Sequence, residues 1–401
     1  MSLPAGPCEE RVQMLDALRG FALLGILLAN ILVFSGWVFP PAEHRVALAG
    51  VEGALWQERL HHFFVDGKFY TLFSMLFGAG FSLQIQRLSG RSVDGIRIYR
   101  RRVLILLAIG LVHEWLIWDG DILVLYALLG LLLPFFQRLQ DRTLLIIAAL
   151  LIFVVPFAGI ATVSALGLTP DLGLIALSDR VATALGGTPT DPLAWVSRPD
   201  FQAWFSWIVS GPIFAWGLKL MSWRIPKVLG IMLIGLWLGR RLVDGKLLQD
   251  RRFLWRVLAI GLAIGVPANL FYAGMTDGGQ SDWPSLIGTV PMATAYAAAF
   301  ALAWPRAQRW LSVFAAPGRM ALTNYLSQSV ICVLVFYGMI LDQIGKWPPL
   351  GFYGFVLALY GAQTAFSHWW LSRHAQGPME YLWRTWTYAG QQRMTAAAVP
   401  A

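Results

Sequence analysis

The chain is poor in charge and in the residues that usually announce chemistry. Of its 401 residues 13% are charged, 22 are acidic, six are histidine and two are cysteine. Cys8 lies in the N-terminal tail and Cys332 inside an apolar run, so neither a disulfide nor a cysteine metal site is implied. A Walker A sequence, a Gly-x-Ser-x-Gly nucleophile elbow and a dinucleotide fingerprint are all missing, which leaves a pump, a serine hydrolase and a nicotinamide enzyme without support. No His-Glu-x-x-His or comparable spacing occurs, and no metal is expected. A net charge of +9 suggests nucleic acid, but the basic residues sit in short loops between apolar runs. That pattern sets membrane orientation, and no nucleic-acid partner is expected.

What the chain has is apolar length. It is 57% hydrophobic, with 19 Trp and a mean hydropathy of +0.60, which predicts an all-α, polytopic membrane helix bundle in contact with lipid. Phe21 to Phe39 is 19 residues, and at about 1.5 Å per residue it spans roughly a bilayer core. It is too long for a signal h-region and reads as a retained span. Apolar runs and loop charges together predict spans near 17–39, 61–87, 102–118, 121–138, 143–165, 226–240, 253–275, 284–304, 318–341 and 350–372. The loop with Arg87, Arg91, Arg97, Arg100, Arg101 and Arg102, opposed only by Asp94, is placed in the cytoplasm. Ten spans then put both termini inside, and no internal repeat is evident. Residues 1–401 form one integral membrane domain, with 166–225 an extracytoplasmic loop. Within that loop the Trp-rich stretch 201–223, broken by Gly211 and Pro212, is read as interfacial or re-entrant. Were it to cross, the loop with Arg240, Arg241, Lys246, Arg251 and Arg252 would face outward, against the positive-inside tendency. The acidic turn Asp277 to Asp282 falls outside.

Polar groups at membrane depth are costly, and each is a candidate for function. Arg19 and Asn30 are 11 residues apart, a spacing that returns a helix to nearly the same azimuth about 16 Å further along. Arg102 and His113 repeat that spacing in the third span. Beyond His113 lie Glu114, Asp119 and Asp121, acids that can orient it or tune its basicity. Arg19 also reads as a snorkelling anchor and Asn30 as an interhelical hydrogen-bonding group. His44, His61, His62, Asp66 and Lys68 gather on the outward side, where interface polar belts are ordinary. Arg319 opens the ninth span and is followed by Asn324 and Gln328 on one face, which line a cavity or tie helices together. Leu76-Phe77-Gly78-Ala79-Gly80 reads as a close-packing face. Arginines at the inner ends of spans 1, 3 and 9 suit phosphate, and a histidine beside a carboxylate suits proton abstraction.

Leu15-Asp16-Ala17-Leu18-Arg19-Gly20 with Asn30, Lys68-Phe69 with Leu76 to Gly80, Trp118-Asp119-Gly120-Asp121-Ile122-Leu123, Gly318-Arg319-Met320-Ala321-Leu322-Thr323-Asn324-Tyr325 and Gly377-Pro378-Met379-Glu380 resemble the YeiB family of bacterial inner-membrane proteins. The resemblance covers nearly the whole chain and implies a multi-pass protein of the bacterial inner membrane. More distantly, the first span is similar to that of transmembrane acyltransferases, the sugar O-acetyltransferases and the heparan glucosaminide N-acetyltransferase. The O-acetyltransferase branch would place a histidine 11 residues after the arginine; here Asn30 stands there. A neutral amide cannot act as a general base.

This resemblance and the polar gradient together lead to one expectation: transfer of an acyl or acetyl group from cytoplasmic acyl-CoA to a hydroxyl or amine acceptor, a glycan or lipid, outside. No tightly bound cofactor is expected. Arg19, Arg102 and Arg319, with Asn324 and Gln328, would hold the acyl-CoA; Asn30 would orient the thioester; His113 or His44 would be the base, with Asp121 beside His113. The competing expectation is a permease for a small anionic or amphipathic solute that uses the same arginines as a funnel. Small-residue helix faces serve packing within and between subunits, so an oligomer stays open.

Overall fold

In hydrocarbon every backbone N–H and C=O must find an internal partner, which drives apolar runs of this length into helices. The computed structural model describes residues 7–40, 51–89, 95–242, 246–275 and 278–389. His44, Arg91, Asp94 and Asp277 lie outside these residues, as do the side chains of Cys8 and Lys246. All regular structure among the described residues is helical. The main elements are α1 (Pro7–Phe34), α2 (Val51–Phe64), α3 (Lys68–Ser89), α4 (Gly95–Leu116), α5 (Leu123–Gly130), α6 (Asp141–Ala165), α7 (Leu174–Ala184) and α8 (Phe201–Met221). They continue as α9 (Arg224–Leu242), α10 (Arg251–Gly274), α11 (Trp283–Leu311), α12 (Ala315–Arg319), α13 (Ala321–Phe336), α14 (Pro349–Leu371) and α15 (Pro378–Tyr388).

Each expected span is largely helical; the ninth breaks at Met320 between α12 and α13 and its helix ends at Phe336, and three others differ in detail. The second is interrupted after Phe64, where Gly67 takes a φ of 75° before α3 begins. The fourth is two short helices, α5 and Leu133–Phe136. The fifth passes through a π-helical turn at Leu150–Val154, the wider turn that accommodates the missing N–H and the ring of Pro156. The Trp-rich stretch is not broken at Gly211 and Pro212: α8 runs through both and then bends by 67° into α9. At the bend Trp223 adopts a left-handed φ of 52°, unusual for a bulky residue. Among the described residues four stretches are long and apolar enough to cross a membrane: Val12–Phe34, Asp141–Ala165, Arg251–Gly274 and Trp283–Arg319. The bent pair α8 and α9 counts as a fifth when taken as one span. The remaining expected spans are shorter or more polar.

α1 is the central post. Leu23, Leu27 and Ile31, one turn apart, are buried in the main core with Phe34. At its N-terminal part Gly20 and Gly318 let α1 and α12 meet backbone to backbone. A Cβ on Gly318 would overlap the Asp16 carbonyl, and one on Gly20 would overlap the Phe314 carbonyl. Gly318→Ala is therefore expected to push α12 off α1 and cost about 1–3 kcal/mol by overpacking. A thermal midpoint equal to that of the wild type in detergent would refute the contact.

A second close seam joins α3 and α9. Gly78 lies on the Met232 carbonyl, Gly235 on that of Met75 and Gly239 on that of Ala79. The offset stays near 154–160 residues along both helices, so α3 and α9 run parallel and begin side by side. Gly80, in the same motif as Gly78, has open space where a Cβ would be; only Gly78 of that pair is needed for the approach. α13 opens with its backbone N–H groups of Leu322 and Thr323 donating to Oε1 of Glu380, at 2.7 and 3.1 Å. The α15 carboxylate thus satisfies donors that a helix start leaves free.

Candidate active site

His113 is buried near the C-terminal end of α4, and the chain turns back at Asp119 and Gly120 to bring Asp121 against it. Nδ1 of His113 lies 2.8 Å from Oδ1 of Asp121, both side chains being all but inaccessible. A carboxylate only accepts, so Nδ1 carries a proton, and in the neutral ring the lone pair falls on Nε2. Nε2 is buried and has no hydrogen-bond partner among the described residues. Asp121 is itself fixed: Oδ2 accepts the Val124 N–H at 2.8 Å, and the Tyr325 hydroxyl donates to Oδ1 at 3.4 Å. The Tyr325 ring stands 5.2 Å from that of His113. A histidine oriented through one nitrogen, with the other free, is the geometry of a general base.

Asp121 is the only one of the three nearby acids that bonds His113. Glu114, one residue on and about 100° round the helix, turns to Lys219 of α8, with Nζ donating to Oε1 at 2.8 Å in a buried pair. Lys219 Nζ also stands 4.9 Å over the Trp216 ring. Asp119 lies against Gly211 of α8 and keeps a buried, unpartnered Oδ1. Nearby, Nε1 of Trp118 and Trp207 and the Tyr337 hydroxyl are buried in loose polar contacts, Trp207 toward Asp119 and Trp118 toward Tyr337, and the Trp207 and Tyr337 rings are 6.1 Å apart. α8 thereby forms one wall of the site.

Two anchors fix the level of Asn30. Arg19 and Arg102 lie within electrostatic reach of each other at one end, and the Phe34 and Trp118 rings are 4.3 Å apart at the other. The intervals are 15 and 16 residues, so α1 and α4 run the same way in near register and Asn30 is level with His113. Asn30 is half-buried and forms no side-chain hydrogen bond among the described residues.

The arginines converge at the opposite end. Asp16 lies in the field of Arg19, Arg319 and Arg87, and Arg102 in that of Arg19 and Arg384. Arg19 donates to Asp16 at 2.7 Å, Arg319 is exposed and donates to the Ala375 carbonyl at 3.1 Å, and Arg102 packs its guanidinium 4.2 Å over Trp383. The last is a cation–π contact, and Arg102 Nη1 also donates to Gln84 Oε1 at 3.2 Å. Asn324 and Gln328 do not join this group. Both are buried against α14: Asn324 Nδ2 donates to Ser367 Oγ at 3.0 Å, and Gln328 Nε2 to Gln363 Oε1 at 2.9 Å. Their amides are spent tying α13 to α14, and of the two readings of that face the interhelical one fits this geometry.

The site takes in groups that residue spacing did not single out. Tyr325 stood in a quoted motif without a role, Arg384 lay in a tail, and Lys219, Trp207 and Tyr337 are distant in sequence from His113. Among the described residues no three His, Cys, Asp or Glu side chains group to hold a metal ion.

The chain is 31% identical to the Uncharacterized protein YxaH of Bacillus subtilis (strain 168) over 398 residues, covering 96% of each. The chain belongs to the YeiB-like family. It is 32% identical to the Uncharacterized protein YeiB of Escherichia coli (strain K12), over 94% of this chain and 96% of that one. It is 34% identical to an uncharacterized 39.9 kDa protein in the amylase 3'region of Bacillus acidopullulyticus, over 95% and 94%. Residues 238–390 match the family described as Protein of unknown function (DUF418). No solved structure matches. The matched region of the YeiB-like chain holds Tyr325, Tyr337, Arg319 and Arg384, whereas Arg19, Asn30, His113 and Asp121 precede it.

Proposed function

We propose that this YeiB-like protein is a membrane acyltransferase that moves an acyl group from cytoplasmic acyl-CoA to a hydroxyl or amine acceptor on the other side of a bacterial inner membrane. The observation that carries the reading is His113, bonded through Nδ1 to Asp121 with Nε2 free, level with Asn30 and 11 residues from an arginine cluster. Ten spans with both termini inside would put that cluster in the cytoplasm and His113 toward the outer half.

In this reading Arg19, Arg102 and Arg319 attract the CoA phosphates, for which planar guanidinium donors suit. The pantetheine arm carries the thioester up to Asn30, whose amide donates to its carbonyl. The acceptor O–H or N–H gives its proton to Nε2 of His113, and the acceptor oxygen or nitrogen adds to the thioester carbonyl. The carbon–sulfur bond then breaks, and the leaving thiolate takes the proton back from the imidazolium. Asp121 stabilises the charged ring while it lasts. The loosely paired groups of Trp118, Asp119, Trp207 and Tyr337 would exchange partners to bind a hydroxylated acceptor. Nε2 is closed off in this conformation, so the reaction requires the packing around it to open.

Purified protein in nanodiscs is expected to bind acetyl-CoA and hydrolyse it slowly. Arg19→Gln or Arg102→Gln should raise KM by about tenfold with kcat little changed, the signature of lost ground-state binding. Wild-type protein that neither binds nor turns over any acyl-CoA sinks the proposal. The bend between α8 and α9 supports a second reading, a permease, because transporters place sites at discontinuous helices. Uptake of an anionic solute into liposomes without thioester cleavage would decide for it.

A further inference from the structure

Far from the arginine cluster, the parallel pair α3 and α9 places two lysines side by side. Arg87, near the end of α3, lies within electrostatic reach of Asp16 at the arginine end. Lys68 opens α3, 19 residues earlier, and therefore stands about 28 Å away along the helix. Lys227 occupies the first turn of α9, and its charge falls within reach of that of Lys68. Both residues are at most 1% exposed. Arg224, one turn before Lys227, packs its guanidinium 5.2 Å over the Tyr70 ring of α3 and donates to Gln280 Oε1 at 2.8 Å.

Two buried lysines stand together at two aligned helix N-termini, whose dipoles also favour negative charge, and Arg224 lies at their rim over Tyr70. The carboxylate facing Lys68 is Asp66, and it is already committed. His62 Nδ1 lies 2.5 Å from its Oδ2, the Tyr272 hydroxyl donates to the same oxygen at 3.1 Å, and His61 Nε2 stands 3.2 Å from its Oδ1. Lys68 Nζ reaches the His62 carbonyl and stands 5.7 Å over the Tyr272 ring. Lys227 has no hydrogen-bond or ion-pair partner among the described residues. Like charges in a poorly polarisable interior repel strongly, and a buried ammonium without a partner is among the costliest groups a fold can hold. A bound anion removes both costs at once.

We propose that Lys68 and Lys227, with Arg224 at the rim, form an anion site for a phosphate group, at the end of the bundle opposite the arginine cluster. The site is independent of the acyl-transfer reading. A phosphate fits because its oxygens take two ammonium groups together, with a guanidinium at the rim. Its source is a soluble phosphate compound or the headgroup of a phospholipid reaching in from the bilayer.

Thermal unfolding of the full chain in nanodiscs separates these sources. In phosphatidylcholine discs, inorganic phosphate is expected to raise the wild-type midpoint by at least about 2 °C over chloride at equal ionic strength. Phosphatidylglycerol replacing phosphatidylcholine, in chloride, tests the lipid. A response to phosphate alone supports a soluble ligand, a response to phosphatidylglycerol alone supports a headgroup, and either supports the site. Lys227→Met should abolish the response, whereas Lys227→Arg keeps it; general salt stabilisation would persist in both. Should Lys227→Met not fold, Arg224→Gln at the rim of the site is expected to halve the shift. No response in either arm of the wild type, or a full response in Lys227→Met or Arg224→Gln, overturns the proposal.

Discussion

Alanine in place of His113 is expected to lower acyl transfer by about 10²–10⁴-fold, the range a positioned general base contributes. Binding of acyl-CoA should change little, because in the proposed mechanism the phosphates would be held by arginines some 16 Å away along α1 and α4. The loss therefore falls on kcat. Asp121→Asn is the sharper companion. An amide can present a donor to Nδ1, which would move the ring proton to Nε2 and blunt the base without emptying the site. Its kcat should fall nearly as far as that of His113→Ala. Asn30→Ala should lose less, since it removes one hydrogen bond to the reacting carbonyl and leaves the proton relay intact. Steady-state kinetics with acetyl-CoA and a soluble amine or sugar acceptor measures all three. A His113→Ala enzyme working at the wild-type rate would remove histidine from the chemistry, and with it the proposed mechanism.

How far the sequence reveals this arrangement depends on the range of the contact. The repeat of arginine and polar group at 11 residues in two spans was legible because both partners of each pair lie on one helix, where periodicity fixes their geometry. The pairing of His113 with Asp121 was half legible: eight residues and a turn keep them near, but the same turn offered Glu114 and Asp119 as equal rivals. Only the fold sends Glu114 to α8. The tie of Asn324 to Ser367, 43 residues away, and the role of Tyr325 on Asp121, 204 residues away, depend on tertiary packing that no local pattern encodes. Lys227 carried a signal that went unused. It is a charged residue at the head of an apolar helix, and its position matches that of Lys68 once α3 and α9 are known to be parallel. Pro212 misled in the other direction: its missing N–H and its ring are accommodated inside α8, so the stretch reads as broken in sequence yet is a continuous helix in space.

Lys219→Met should be among the most destabilising single substitutions outside the close glycine seams. The lysine and Glu114 are each almost wholly buried, with side-chain exposures of 4% and 1%. Removing the ammonium leaves a carboxylate in an apolar wall, and breaking a buried pair in this way costs about 3–5 kcal/mol. The cost lies in the orphaned charge and not in the attraction lost, which makes a distinct demand on the double variant. Glu114→Gln with Lys219→Met removes the charge from both sides and should recover most of the stability, because well-packed neutral replacements of buried pairs are often close to neutral. A double-mutant cycle on the unfolding midpoint measures this coupling directly. If the two single losses simply add, Glu114 and Lys219 do not interact and α8 is held to α4 by apolar packing alone. Since α8 also carries Trp207 against the His113 site, the recovered double variant offers a further discrimination. Restored stability with restored acyl transfer would make the pair a strut between two helices; restored stability with activity still lost would place its charge within the catalytic field.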